Sequence, residues 1–133
     1  MTILVDASAL VAMATREPDA RELGRVLQAH AERLYCAVGL WEAAIAIARK
    51  RTVTVDEARG ELTVLMDRLD IRPVGIGEEE ARAALAAHTR YGRGNHPAKL
   101  NMGDCFAYAC ARTNNARLLY KGNDFSHTDV AQP

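Results

Sequence analysis

Aromatic residues are scarce in this chain: one Trp, four Tyr and two Phe, 5% of 133 residues. That shortage argues against an all-β sandwich, whose strands draw on β-branched and aromatic side chains. The plentiful alanine favours helices packed closely on another layer. Cysteine is rare as well. Cys36, Cys105 and Cys110 form no CxxC pair and sit in apolar sequence. They read as buried reduced thiols rather than as ligands of a zinc site. Net charge is missing too: 17 basic side chains balance 17 acidic ones. A polyanion binder of this composition has to segregate its charges locally. No apolar run approaches the ~18 residues that a membrane span needs. The apolar N-terminus is interrupted by Asp6 and follows no basic region, which makes it a poor secretory signal. The expectation is a cytoplasmic protein with no membrane association.

What is present fits one globular domain spanning residues 1–133, since apolar residues make up 49% of the chain and charged residues 26%. Thr2 to Val5 reads as a buried strand ending at Asp6, and Ser8 to Ala14 as a short helix. A helix is expected from Asp19 to Ala31, with Leu23, Val26, Leu27 and His30 at helical spacing. Leu34 to Cys36 is a second strand. Helices follow at Val38 to Arg51 and Thr54 to Asp70. Ile71 to Ile76 reads as a third strand broken by Pro73 and Gly75. Three glutamates, Glu78 to Glu80, open a helix reaching Tyr91. A Gly-, Asn- and Pro-containing loop leads to a helix from Asp104 to Asn114, and Leu118 to Tyr120 forms a last strand. Strands alternating with helices imply crossovers, hence an α/β fold with a short parallel sheet between helices.

Three acids stand alone in apolar company. Asp6 is the only charged residue from Met1 to Thr15, Glu42 the only one from Cys36 to Ala48, and Asp104 the only one from Leu100 to Ala111. An ionised carboxylate in such surroundings needs compensation from a cation, a basic side chain or backbone N–H groups. No basic residue lies in any of the three segments. Asp6 falls at the carboxyl end of the first strand, the edge at which open α/β sheets bind ligands. Oxygen donors of this kind suit hard divalent cations such as magnesium and manganese. Each acid also has an ordinary alternative. Asp6 serves equally as a cap for the helix opening at Ser8, and Asp104 as an N-cap or first-turn acid. Glu42 could pair with an arginine from elsewhere.

The segments around these acids, Val5-Asp6-Ala7-Ser8-Ala9-Leu10, Glu42-Ala43-Ala44, Leu100 to Ala109 and Leu118-Leu119-Tyr120-Lys121-Gly122-Asn123-Asp124-Phe125, resemble the PIN-domain ribonucleases in residues and in order. They are most similar to the VapC toxins of bacterial toxin–antitoxin pairs. The resemblance implies a PIN-like fold over the whole chain and a magnesium-dependent endoribonuclease in which Mn2+ can substitute. It also implies a homodimer and inhibition by a cognate VapB-like antitoxin. It assigns Asp6, Glu42 and Asp104 to three acidic metal-holding positions, and Asp124 to the fourth, with Asp129 as a second choice nearer the tail. Many relatives carry an acid where Gly122 or Asn123 stands, so the fourth position is displaced or shared here. Ser8 is expected to position Asp6 or a metal-bound water, and Asn101 to bond within the site or to shape the turn before Gly103.

The stretch from Ala81 to Gly103 contains no acidic residue. Within it Arg90, Arg93 and Lys99 lead toward Asp104 and could grip RNA phosphates, or simply form a solvated basic surface. His96 reads as a surface residue, and Arg49-Lys50-Arg51 as a helix C-terminus favoured by the dipole. Two other readings are a DNA nuclease of the same fold and an inactive regulatory binding module.

Overall fold

The computed structural model describes residues 1–94, 96–122 and 125–129. The chain forms β1 (Thr2–Val5), α1 (Ala7–Ala14), α2 (Ala20–Gln28), β2 (Glu32–Cys36), α3 (Ala37–Arg51) and α4 (Val55–Arg68). It continues with β3 (Ile71–Val74), α5 (Glu78–Tyr91), α6 (Met102–Thr113) and β4 (Arg117–Leu119). The strands lie in the order β3-β2-β1-β4 and all neighbouring pairs are parallel. The expected α/β architecture is therefore the observed one.

Alternation along the strands divides the apolar residues between two layers. Ile3 and Val5 face a core built with α1, α2, α3 and α4, where Leu10, Leu27, Ile47 and Leu62 are wholly buried. Leu4 and Leu118 face the other core, shared with α5 and α6. α1 is apolar on nearly every side, as a helix pressed between a sheet and other helices must be. The sheet is thus covered on both faces, and its carboxyl edge is left open for chemistry.

Where boundaries differ from expectation, long-range partners decide. β2 starts at Glu32 rather than Leu34 because Glu32 pairs with Thr2 of β1. α2 correspondingly stops at Gln28, and the buried His30 beyond it bonds the Val26 carbonyl through Nδ1 at 2.9 Å. β3 ends at Val74, and Pro73 is accommodated because β3 is an edge strand. α6 starts two residues before Asp104, since Asn101 caps it. The basic run at the end of α3 does more than answer the helix dipole. Lys50 bonds Glu17 at 2.7 Å, and Arg51 bonds Glu61 and the Ala14 carbonyl, each at 2.6 Å.

Candidate active site

The chain leaves β1 at Val5 and turns into α1 with only Asp6 between. Asp6 has extended backbone, and its N–H donates to the Leu119 carbonyl at 2.9 Å, prolonging the pairing with β4. Its carboxylate caps α1. Oδ2 accepts from the Ser8 N–H at 3.0 Å and from the Ser8 hydroxyl at 2.6 Å. The Ser8 oxygen in turn accepts from the Lys121 N–H at 2.9 Å, across 113 residues of sequence. Ser8 therefore fastens Asp6 to the segment that follows β4. The capping role and a site role for Asp6 are compatible, because the capping carboxylate also lines the cleft.

Asp104 repeats this economy. Asn101 caps α6 by accepting the Asp104 N–H at 2.8 Å, and the Asp104 carboxylate accepts the Asn101 N–H at 3.1 Å. This reciprocal capping box fixes the acid in the first turn, where the helix dipole favours negative charge. Both Asp6 and Asp104 are buried, at 6% and 9% exposure.

Glu42 comes from the second turn of α3 and is half-buried. Its carboxylate lies against the backbone of Gly103: a Cβ at that position would meet the Glu42 carboxyl atoms at 2.1–2.2 Å. With Glu42 in this position glycine leaves the space, and a larger residue at 103 would push the Glu42 carboxyl aside. Glu42 forms no ion pair with arginine among the described residues. Burial, then the charge of Asp6, raises its pKa above the ordinary value of 4.5. The carboxyl accordingly sits within the field of Asp6.

Asp6, Glu42 and Asp104 line one open cleft of about 460 Å³ at the carboxyl edge of the sheet, with Ser8, Glu17 and Lys121 also on its wall. Five elements meet there: the ends of β1 and β4, and α1, α3 and the start of α6. β1 stands between β2, reached directly, and β4, reached last, so the cleft opens where the strand order reverses.

Other expected residues are distributed differently. Asp124 lies outside the described residues. Asp129 is engaged away from the cleft. It accepts from the Tyr108 hydroxyl at 2.6 Å and the Tyr91 hydroxyl at 3.3 Å, and faces Arg112 at 3.4 Å and Arg90 at 3.6 Å. Arg90 also lies over the Tyr91 ring, 4.9 Å from its centre. Arg93 borders a separate, mostly apolar groove between α5 and α6, together with Asn101, Met102 and Phe106. Lys99 is exposed. Arg90, Arg93 and Lys99 are not among the residues that line the acid cleft. His96 packs edge-on against Tyr91 and accepts the Ala98 N–H at 3.0 Å, which is a loop-shaping role.

Glu17 and Lys121 were not singled out by sequence reasoning. The Lys121 ammonium bonds Glu17 and, at 3.2 Å, Asp19, while the other Glu17 oxygen holds Lys50. The Lys121 bond, then that of Lys50, pulls the Glu17 pKa down from 4.5 to about 2. All three cysteines are buried and unbridged. The Cys36 thiol, contacted by Cys110 and by N–H groups at the start of α3, is lowered to about 7.

Comparison with known proteins identifies the family. The PIN domain family matches residues 3–131. Ribonuclease VapC30 of Mycobacterium tuberculosis is 39% identical over 97% of this chain and 96% of its own length. Ribonuclease VapC of Mycolicibacterium smegmatis is 39% identical over 97% and 98% of the two chains. A VapC ribonuclease of Rhizobium meliloti is 38% identical over 95% and 97%. Among solved structures, VapC20 of Mycobacterium tuberculosis, described as a Sarcin-Ricin loop cleaving toxin, superimposes with a TM-score of 0.75 at 13% identity, over 98% of each chain. That last likeness concerns the fold alone. Taken with the full-length relatives, it leads to one conclusion: this chain belongs to the PIN-domain family, among its VapC members.

Proposed function

We propose that this chain is a metal-dependent endoribonuclease acting as the toxin of a toxin–antitoxin pair. The observation that carries this reading is the convergence of Asp6, Glu42 and Asp104, from three distant parts of the sequence, on one cleft at the carboxyl edge of the sheet. The full-length relatives named as VapC ribonucleases support it.

The donor set fits magnesium, with manganese as a substitute, because it offers only carboxylate oxygens. The Glu42 carboxyl, raised first by burial and then by the charge of Asp6, is one that a cation would favour in its ionised form. Among the described residues no three acidic, His or Cys side chains form a ready cage. Magnesium does not require one, since it keeps several waters and is held through one or two carboxylates. Asp6 and Asp104 are its proposed direct holders. Glu42 and Asp124 complete the set, directly or through water. When bound, such a cation activates a water, polarises a phosphoryl oxygen and relieves charge on the leaving oxygen.

The chain's own contribution is positional. Ser8 holds one Asp6 oxygen and Asn101 sets the rotamer of Asp104, so both carboxylates are oriented before substrate arrives. Arg93 and Lys99 are proposed to meet RNA outside the cleft. A VapB-like antitoxin, a homodimeric state and a cytoplasmic location complete the proposal. No helix among the described residues is long and apolar enough to cross a membrane.

Digestion of matched RNA and DNA strands tests the reading. RNA is expected to be cut in Mg2+ and spared in EDTA. Asp6→Asn and Asp104→Asn abolish cleavage while leaving the far-UV spectrum native. Saturating Mg2+ raises the melting temperature of the wild type more than that of either variant. Cleavage that persists in EDTA, with no thermal shift, would sink the metal-dependent mechanism. Preferential cutting of DNA would move the chain to another nuclease activity of the same fold.

A further inference from the structure

The geometry points to Lys121 as the side chain that takes a phosphate of the RNA strand within the acid cleft. This rests on the ribonuclease reading above and adds a substrate-binding residue to it. Four acids, Asp6, Glu17, Glu42 and Asp104, line the cleft, and Lys121 is the one basic residue among the described residues on its wall. A polyanion entering so acidic a cleft meets repulsion at short range, where salt screens little. A cation fixed on the wall lowers that barrier.

Lys121 is built into the frame of the site. Its backbone N–H donates to Ser8 Oγ, and the Ser8 hydroxyl donates to Asp6, so its Cα keeps a set relation to the central acid. Its side chain is free to move. It is 40% exposed, and an ammonium on a four-carbon stem makes bonds that rotate and exchange easily. At present it rests on Glu17 and Asp19. Neither acid is stranded if it leaves, because Glu17 retains Lys50 at 2.7 Å and Asp19 is itself 40% exposed. Asp19 is partly exposed and Glu17, at 20% exposure, keeps a second cation, so exchange of a carboxylate partner for a phosphate oxygen costs little. In this arrangement Glu17 and Asp19 park the ammonium at the lip, and RNA draws it inward.

A simple staple is the rival role, with Lys121 and Glu17 only tying the segment after β4 to the turn between α1 and α2. The two roles predict opposite behaviour for two variants. Affinity is read by fluorescence anisotropy of a labelled mixed-sequence single-stranded RNA, on chains that carry Asp6→Asn so that the probe survives. Lys121→Met is expected to weaken binding on the order of fivefold and to flatten the slope of log Kd against log salt by about 0.7. Lys121→Arg restores both. Glu17→Gln, which removes the competing carboxylate, is expected to tighten binding. An unchanged Kd and slope in Lys121→Met overturns the assignment, as does equal weakening in Lys121→Met and Glu17→Gln. If the Asp6→Asn parent binds no RNA at any salt, the ribonuclease reading falls and Lys121 falls with it. Binding by the parent with no response to Lys121→Met removes Lys121 alone.

Discussion

At the scale of single residues, acids at this cleft titrate in opposite senses. Glu42 has a raised folded-state pKa, through burial and the charge of Asp6. The folded chain then holds a proton more tightly than the unfolded chain, so stability falls as pH rises from 4.5 through the raised value. Glu17 is lowered to about 2, so its contribution is present above 4.5 and is lost as pH falls toward 2. The windows do not overlap. Melting temperature followed against pH in EDTA should thus decline above 4.5 for the wild type and be flatter there for Glu42→Gln. An identical decline in both chains would remove Glu42 as its source. Asp6, Glu42 and Asp104 were legible in the sequence because each interrupts an apolar segment. Glu17 and Lys121 were not, since Glu17 stands beside Arg16 and Asp19, and its bond with Lys121 joins residues 104 apart.

At the scale of elements, the same local device serves two purposes. Thr54 and Glu57 form a capping box on α4, far from the acids in the chain and exposed. Asn101 and Asp104 form one on α6, where the reciprocal acid also belongs to the cleft. Thr54→Ala and Asn101→Ala should each cost about 1 kcal/mol of stability, measured by denaturant unfolding. Only Asn101→Ala should also slow RNA cleavage, because it loosens the first turn of α6 that carries Asp104, although the backbone N–H that meets the Asp104 carboxylate remains. Equal activity in the two variants would reduce Asn101 to a helix cap. Element type was readable throughout from periodicity, and the ends were not. Glu32 joins β2 through its register with Thr2, and α6 gains its first residues from the Asn101 cap. Both depend on groups that a short sequence window does not rank above their neighbours.

For the molecule as a whole, Asp129 acts as a fastening point. Its carboxylate draws together Tyr91 and Arg90 of α5 and Tyr108 and Arg112 of α6, and in doing so holds the 125–129 segment on the helical layer. Phe125 beside it is almost wholly buried, 5.0 Å from the Tyr120 ring. Asp129→Ala leaves the buried Tyr108 hydroxyl without this acceptor, at a cost of about 1–3 kcal/mol. Tyr108→Phe alone should cost about 1 kcal/mol, and the double variant less than the sum, as chemical denaturation would measure. Full additivity would mean that the two groups do not act together.

The bond from Lys121 to Ser8 sets an order of events in synthesis. A chain emerging from the ribosome presents β1 and Asp6 first, but β1 lies inside the sheet and waits for β4 at the far end of the sequence. Until that strand arrives, one side of β1 is open, Ser8 lacks its distant partner and the cleft lacks Lys121. The cleft is consequently completed only once residue 121 has left the ribosome, and a shorter nascent chain carries its three acids without the bond that fastens Ser8 to the far strand.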